Sequence, residues 1–163
     1  MKHTVVVTGL GLMLALGACG GQAHQQAAPT TTTAPPTYTI TGSLVLEGTL
    51  FSLDNTDTIS YQRGGACWGT NGYDDVKEGA QVTVENENGA TIGTSALDAG
   101  QLAEDPAKMR DPTAKTTCSF SFVVRDVPKA RFYKVEVSHR GQVTYSFDQL
   151  VNNSWSAELS LGS

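Results

Sequence analysis

Few side chains in this chain are placed to do chemistry: Cys19, Cys67 and Cys118, the histidines His3, His24 and His139, carboxylates gathered at Asp54, Asp57 and Asp74-Asp75, and aromatic rings at Tyr61, Trp68 and Tyr73. A reactive thiol needs a base beside it. Beyond the N-terminal apolar stretch the histidines are His24, among prolines and threonines, and His139, in the turn-like run His139-Arg140-Gly141. Neither is an obvious partner for a nucleophile, and a lone turn histidine is ordinarily solvated. The chain has no Gly-x-Ser-x-Gly elbow, Ser-x-x-Lys pair, His-Glu-x-x-His, phosphate-cradling glycine loop or Cys-x-x-Cys. The expectation is a protein that is not an enzyme, with no catalytic residue and no cofactor. The acidic groups could offer loop oxygens to Ca²⁺, but their spacing fits no calcium loop. They are read as solvated turn acids, and no metal is assigned.

The aromatic group carries more information. Tyr61, Trp68 and Tyr73 fall in the glycine-rich stretch Ile59 to Val76, around Gly64-Gly65-Ala66-Cys67-Trp68-Gly69. Glycine backbone beside flat rings can present apolar faces to a sugar or a peptide. The competing assignment packs Trp68 on a disulfide and sets the tyrosines at the rim of the core. A connection of this length is costly to order, and long ordered loops tend to be functional.

The elements that must position these residues are strands. Ile40, Leu44 and Leu46 suggest a first one, and Val82 and Val84 another, which runs into Asn88-Gly89. Asn-Gly tolerates positive φ, so Ala90 to Thr94 is expected to return as a hairpin partner. Cys118, Phe120, Phe122 and Val124 alternate with polar neighbours, as do Tyr133, Val135 and Val137, then Val143, Tyr145 and Phe147, and finally Trp155, Ala157, Leu159 and Leu161. Helical periodicity is poor, with room for one short helical turn between Asp98 and Arg110. The expected fold class is all-β, a sandwich of about seven strands over residues 38–163.

The series Ile40-Thr41-Gly42, Gly79-Ala80-Gln81-Val82-Thr83-Val84, Asn88-Gly89, Phe120-Ser121-Phe122, Val127-Pro128 and Tyr133-Lys134-Val135-Glu136-Val137 resembles the transthyretin-like modules found as carboxypeptidase-regulatory and collagen-adhesin B repeats. That resemblance implies an immunoglobulin-like sandwich serving as stalk, spacer or recognition surface. The Ile59 to Val76 insertion departs from the pattern.

At the other end, Met1-Lys2-His3 is followed by fifteen uncharged residues, Thr4 to Ala18. This has the length of a signal peptide (residues 1–18) and falls short of the roughly 20 residues a spanning helix needs. It ends in Leu16-Gly17-Ala18-Cys19, which resembles the bacterial lipobox. The resemblance implies cleavage before Cys19 and a diacylglycerol on its thiol, a firm membrane anchor on the extracytoplasmic face. Residues 19–37, with Pro29, Pro35, Pro36 and the run Thr30 to Thr33, read as an extended tether. Such threonine-proline tracts are similar to those of actinobacterial, especially mycobacterial, lipoproteins, where the threonines can be glycosylated. With Cys19 carrying lipid, Cys67 and Cys118 are left as an even pair in an exported chain, for which a disulfide is the first reading and a reactive thiol the alternative.

Formal charge is −5, and loss of Lys2 with the leader makes it −6. Without a basic stripe, nucleic acid is not an expected partner, and attraction to anionic lipid is weak. Membrane residence then rests on the Cys19 lipid. The functional expectation is a non-enzymatic binding or interaction domain of the cell envelope, meeting an envelope protein or a glycan. A structural or assembly accessory and a small lipid or glycolipid carrier are the alternatives, the carrier requiring an apolar cavity between the sheets.

Overall fold

The structure is a computed structural model that describes residues 34–50, 56–62, 64–104, 111, 113 and 115–162. The expected leader, the lipobox with Cys19 and most of the tether lie outside the described residues, as does Asp54. The described residues belong to one compact unit, Ala34–Ser163.

Ten strands and one short helix are present among the described residues, more than the seven strands expected. In chain order these are β1 (Thr37–Thr49), β2 (Ile59–Tyr61), β3 (Ala66–Gly69), β4 (Gln81–Glu85), β5 (Thr91–Ala96), β6 (Gly100–Leu102), β7 (Lys115–Pro128), β8 (Phe132–Val137), β9 (Gln142–Ser146), α1 (Phe147–Asn152) and β10 (Ser156–Leu161). They form two sheets, with strand orders β10-β1-β7-β6-β3-β2 and β5-β4-β8-β9. All pairings are antiparallel except β1 with β10, which run parallel from Thr41 opposite Ser156 to Leu46 opposite Leu161.

Alternation builds the core. In β7, Cys118, Phe120, Phe122 and Val124 are buried on one face. They share one cluster with Ile40, Leu44 and Leu46 of β1, Val82 and Val84 of β4, and Tyr133, Val135 and Val137 of β8. Within β7 the period breaks once. Tyr38 faces Val127 and Ile40 faces Val124, so β7 holds one extra residue there, with Asp126 at φ 57. This bulge turns Val127 back into the core.

Three local outcomes differ from the sequence reading. The Ile59 to Val76 stretch is not one irregular loop: it contains the β2–β3 hairpin, closed by Gly64 (φ 100) and Gly65 (φ 88). Part of the segment expected to hold a short helical turn is strand β6, and residues 105–110 lie outside the described residues. Helix, meanwhile, appears at Phe147, where alternation suggested continuing strand. There Ser146 and Gln149 form a capping box: the Ser146 hydroxyl accepts from the Gln149 backbone N–H, and the Gln149 side-chain Oε1 accepts from the Ser146 backbone N–H.

The six-stranded sheet also curls on itself. The Thr58 N–H donates to the Thr49 carbonyl at 3.2 Å, and the Thr49 N–H donates to the Thr58 hydroxyl at 3.3 Å. The start of β2 is thereby brought back to the end of β1, which fixes the hairpin carrying Trp68.

Candidate functional site

Cys67 and Cys118 are joined in a disulfide, with Cα atoms 6.0 Å apart. Cys67 lies opposite Gly100 and Cys118 opposite Leu102, so the bridge passes over β6, the strand between β3 and β7. Gly100 makes the passage possible. A Cβ there would sit 2.6 Å from the Phe120 ring and 2.8 Å from the Cys118 sulfur, closer than real contacts allow.

The position of the bridge settles which way Trp68 faces. In β3, Cys67 and Gly69 are buried, so the side chains of Ala66 and Trp68 project from the opposite face. That face opens into a groove of about 480 Å³, whose lining includes Trp68 with Ala66, Gly69, Ala99 and Gly100 as small neighbours. The same groove is lined by Gln62, Thr70, Asp74, Lys77 and Glu78. Trp68 is half-buried, while Asp74, Lys77 and Glu78 are exposed.

Tyr61 and Tyr73 do not join this wall. Tyr61 pairs with Cys67, which places it on the core side of the sheet, and both tyrosines pack at the margin of the core. Of the three aromatic candidates, Trp68 alone lines the groove.

The loop after β3 is held from two directions. On one side, the Gly69 N–H donates to the Val76 carbonyl at 2.8 Å and the Thr70 N–H to the Thr58 carbonyl at 2.9 Å. The Thr70 hydroxyl and the Asn71 amide both donate to the Asp57 carbonyl, at 3.1 and 2.7 Å. On the other side stands Arg140, from the turn between β8 and β9. Its Nε donates to Asp75 Oδ2 at 2.9 Å, a second guanidinium N–H bonds Asp75 Oδ1, and the group lies 4.9 Å from the Tyr73 ring centre. The Ser138 hydroxyl donates to the Asp75 carbonyl at 3.2 Å. The Arg140 hydrogen bonds hold the Asp75 carboxyl below the usual aspartate range, and the same contact raises Arg140. Asp74, one residue away, is carried at the groove by this pinned segment. Nothing local in the sequence announces the Arg140–Asp75 pair, because its members lie 65 residues apart.

A second aromatic group gathers around Trp155. Trp155 stacks on Tyr38 at 4.2 Å and meets Phe147 and Tyr133 edge-on at 5.5 and 5.9 Å, while Lys129 Nζ stands 4.5 Å above the Phe147 ring. These rings tie the start of β1 to α1 and β10. Trp155 is thus enclosed by other rings, whereas among the described residues no ring stacks on Trp68.

Of the acids considered for Ca²⁺, Asp75 is engaged by Arg140. Among the described residues no group of three or more His, Cys, Asp or Glu is arranged to hold a metal ion. His139 is exposed, with Nδ1 3.3 Å from Glu136. No described helix is long and apolar enough to cross a membrane. No family model, curated protein or solved structure matches the chain.

Proposed function

We propose that this chain is a lipoprotein of the cell envelope, anchored through lipid on Cys19 at the extracytoplasmic face of the membrane, whose β domain is a non-enzymatic binding module. The observation that carries the binding part is the Trp68 indole, set on the outer face of a disulfide-tied hairpin with no ring of the described residues stacked against it. The volume of that groove falls within the about 300–1,000 Å³ typical of small-ligand sites. Its wall is built before any ligand arrives, since sheet closure, disulfide and the Arg140–Asp75 pair each restrain it, and preformed walls lose less entropy on binding. The lipid-carrier alternative has less support: the apolar opening beside β9 and β10, lined by Leu44, Val137, Val143, Leu159 and Leu161 among others, has a volume of about 170 Å³. The two sheets on one core support the transthyretin-like, immunoglobulin-type reading, modified by the parallel β1–β10 pair and the β2–β3 hairpin.

Two experiments test this. For the anchor, intact mass of the membrane-extracted protein should show acyl chains that disappear in Cys19→Ala; acylated Cys19→Ala protein would refute it. For the module, the soluble Cys19→Ala chain should co-sediment with purified cell wall, and adding Trp68→Ala should abolish this while the β-sheet circular dichroism is kept. Undiminished co-sedimentation of a folded Trp68→Ala protein would remove the groove from the account.

A further inference from the structure

The geometry points to an uncharged saccharide chain as the ligand of the Trp68 groove, an inference that rests on the reading of that groove as the binding site. Three features of the groove narrow the chemistry.

The first is the kind of wall Trp68 stands on. β3 is an interior strand, paired with β2 on one side and β6 on the other. Its backbone has no free edge to extend by strand addition, the mode by which an extended peptide gains main-chain hydrogen bonds. Recognition here must come from side chains standing on a sheet face. A half-buried indole offers a flat, polarisable surface on which the C–H face of a pyranose can lie.

The second is charge. Among the described residues that line the groove, Asp74 and Glu78 set two carboxylates against the one ammonium of Lys77, and the whole chain carries −5. An anionic ligand would meet net repulsion at the site and from the surrounding field. An uncharged sugar would not, and carboxylates are strong acceptors for hydroxyl donors.

The third is the mixture of surfaces. Gln62 adds an amide, and the Thr70 hydroxyl, whose proton goes to the Asp57 carbonyl, adds an acceptor, so donors and acceptors line the groove alongside one ring, with small residues between them. A purely apolar ligand would strip water from these polar groups and return nothing. A polyhydroxylated one replaces those hydrogen bonds.

The test titrates the full chain with uncharged hexasaccharides of glucose, galactose, mannose, arabinose and N-acetylglucosamine, with hexagalacturonate as the anionic counterpart and a displayed library of linear decapeptides alongside. The expected result is saturable binding of at least one uncharged hexasaccharide, with hexagalacturonate bound more weakly. Trp68→Ala should weaken binding by about tenfold, the order of one lost ring contact, and Trp68→Phe, which keeps a flat ring, should lose less. If no uncharged hexasaccharide binds, or if binding is unchanged in Trp68→Ala, the inference is overturned. Peptides selected in a Trp68-dependent manner without any saccharide binding would overturn the ligand class and leave the groove standing as the site. Failure of both ligand types together with unimpaired cell-wall co-sedimentation of Trp68→Ala would overturn the groove itself.

Discussion

Removing the Cys67–Cys118 crosslink is the perturbation whose size follows most directly from the fold. The two cysteines are 51 residues apart in sequence and both are buried. In the chain-entropy treatment, closing a loop of that length restricts the unfolded ensemble enough to stabilise the native state by about 4 kcal/mol. Because both positions are buried, alanine at each avoids leaving an unpaired polar group in the core, so the double variant Cys67→Ala/Cys118→Ala reports mainly the crosslink. A domain of ordinary stability, about 5–15 kcal/mol, should remain folded without it. Its melting temperature should fall by about 15 °C for a unit of this size. Urea unfolding followed by circular dichroism, comparing oxidised wild type with the double variant, measures the difference. Hydrogen exchange should show the β2–β3 hairpin opening before β7, since the bridge ties the hairpin across the three-residue strand β6. A loss below about 1 kcal/mol, with unchanged exchange in the hairpin, would refute the reasoning. It would mean that the Thr49–Thr58 closure holds the groove wall without help from the disulfide.

The Arg140–Asp75 pair should make stability fall in acid. Asp75 has its folded-state pKa depressed, chiefly by the Arg140 hydrogen bond, so its contribution is complete above the unfolded value of about 3.9 and is lost as pH drops through the folded value. Arg140→Ala should flatten that part of the stability profile between pH 5 and pH 2, measured by urea unfolding at each pH; an unaltered profile would show that the pair is screened by solvent. Tyr145→Phe removes a hydroxyl that donates to the Glu158 carbonyl at 2.6 Å and accepts from the Glu158 N–H at 3.0 Å, bridging β9 to β10 across the two sheets. A loss of about 1–2 kcal/mol in urea unfolding is expected, and no measurable change would show that water replaces the bridge.

Long strands with one buried face were readable in advance. Ile40, Leu44 and Leu46 in β1, the Val82/Val84 strand with its Asn88-Gly89 turn, Cys118 to Val124 in β7, and Tyr133 to Val137 in β8 all show period two because each has one side in the core. Short strands were not readable: β2, β3 and β6 are three or four residues long, too few for an alternation to register. Their pairing is set by tertiary closure rather than by local preference. The helix left a local signal, Ser146-x-x-Gln149, but the alternation of Val143, Tyr145 and Phe147 pointed the other way, and β9 proves to be an exposed strand with Val143 at 38% exposure. At the site, the residue types were visible and their sides were not. That Trp68 faces out while Tyr61 faces in depends on which face of the β2–β3 hairpin meets the core, a choice made by the disulfide and by Gly100.

Trp68, and no other aromatic residue, is the proposed point at which this domain meets its ligand. The chain has two tryptophans, and separate indole N–H signals are expected for Trp68 in the groove and Trp155 in its ring cluster. Following both by ¹⁵N NMR while the protein is titrated with soluble cell-wall oligosaccharide tests the claim most directly. The Trp68 signal should shift and saturate while the Trp155 signal stays in place. Movement of Trp155 alone, or binding with neither signal moving, would contradict it.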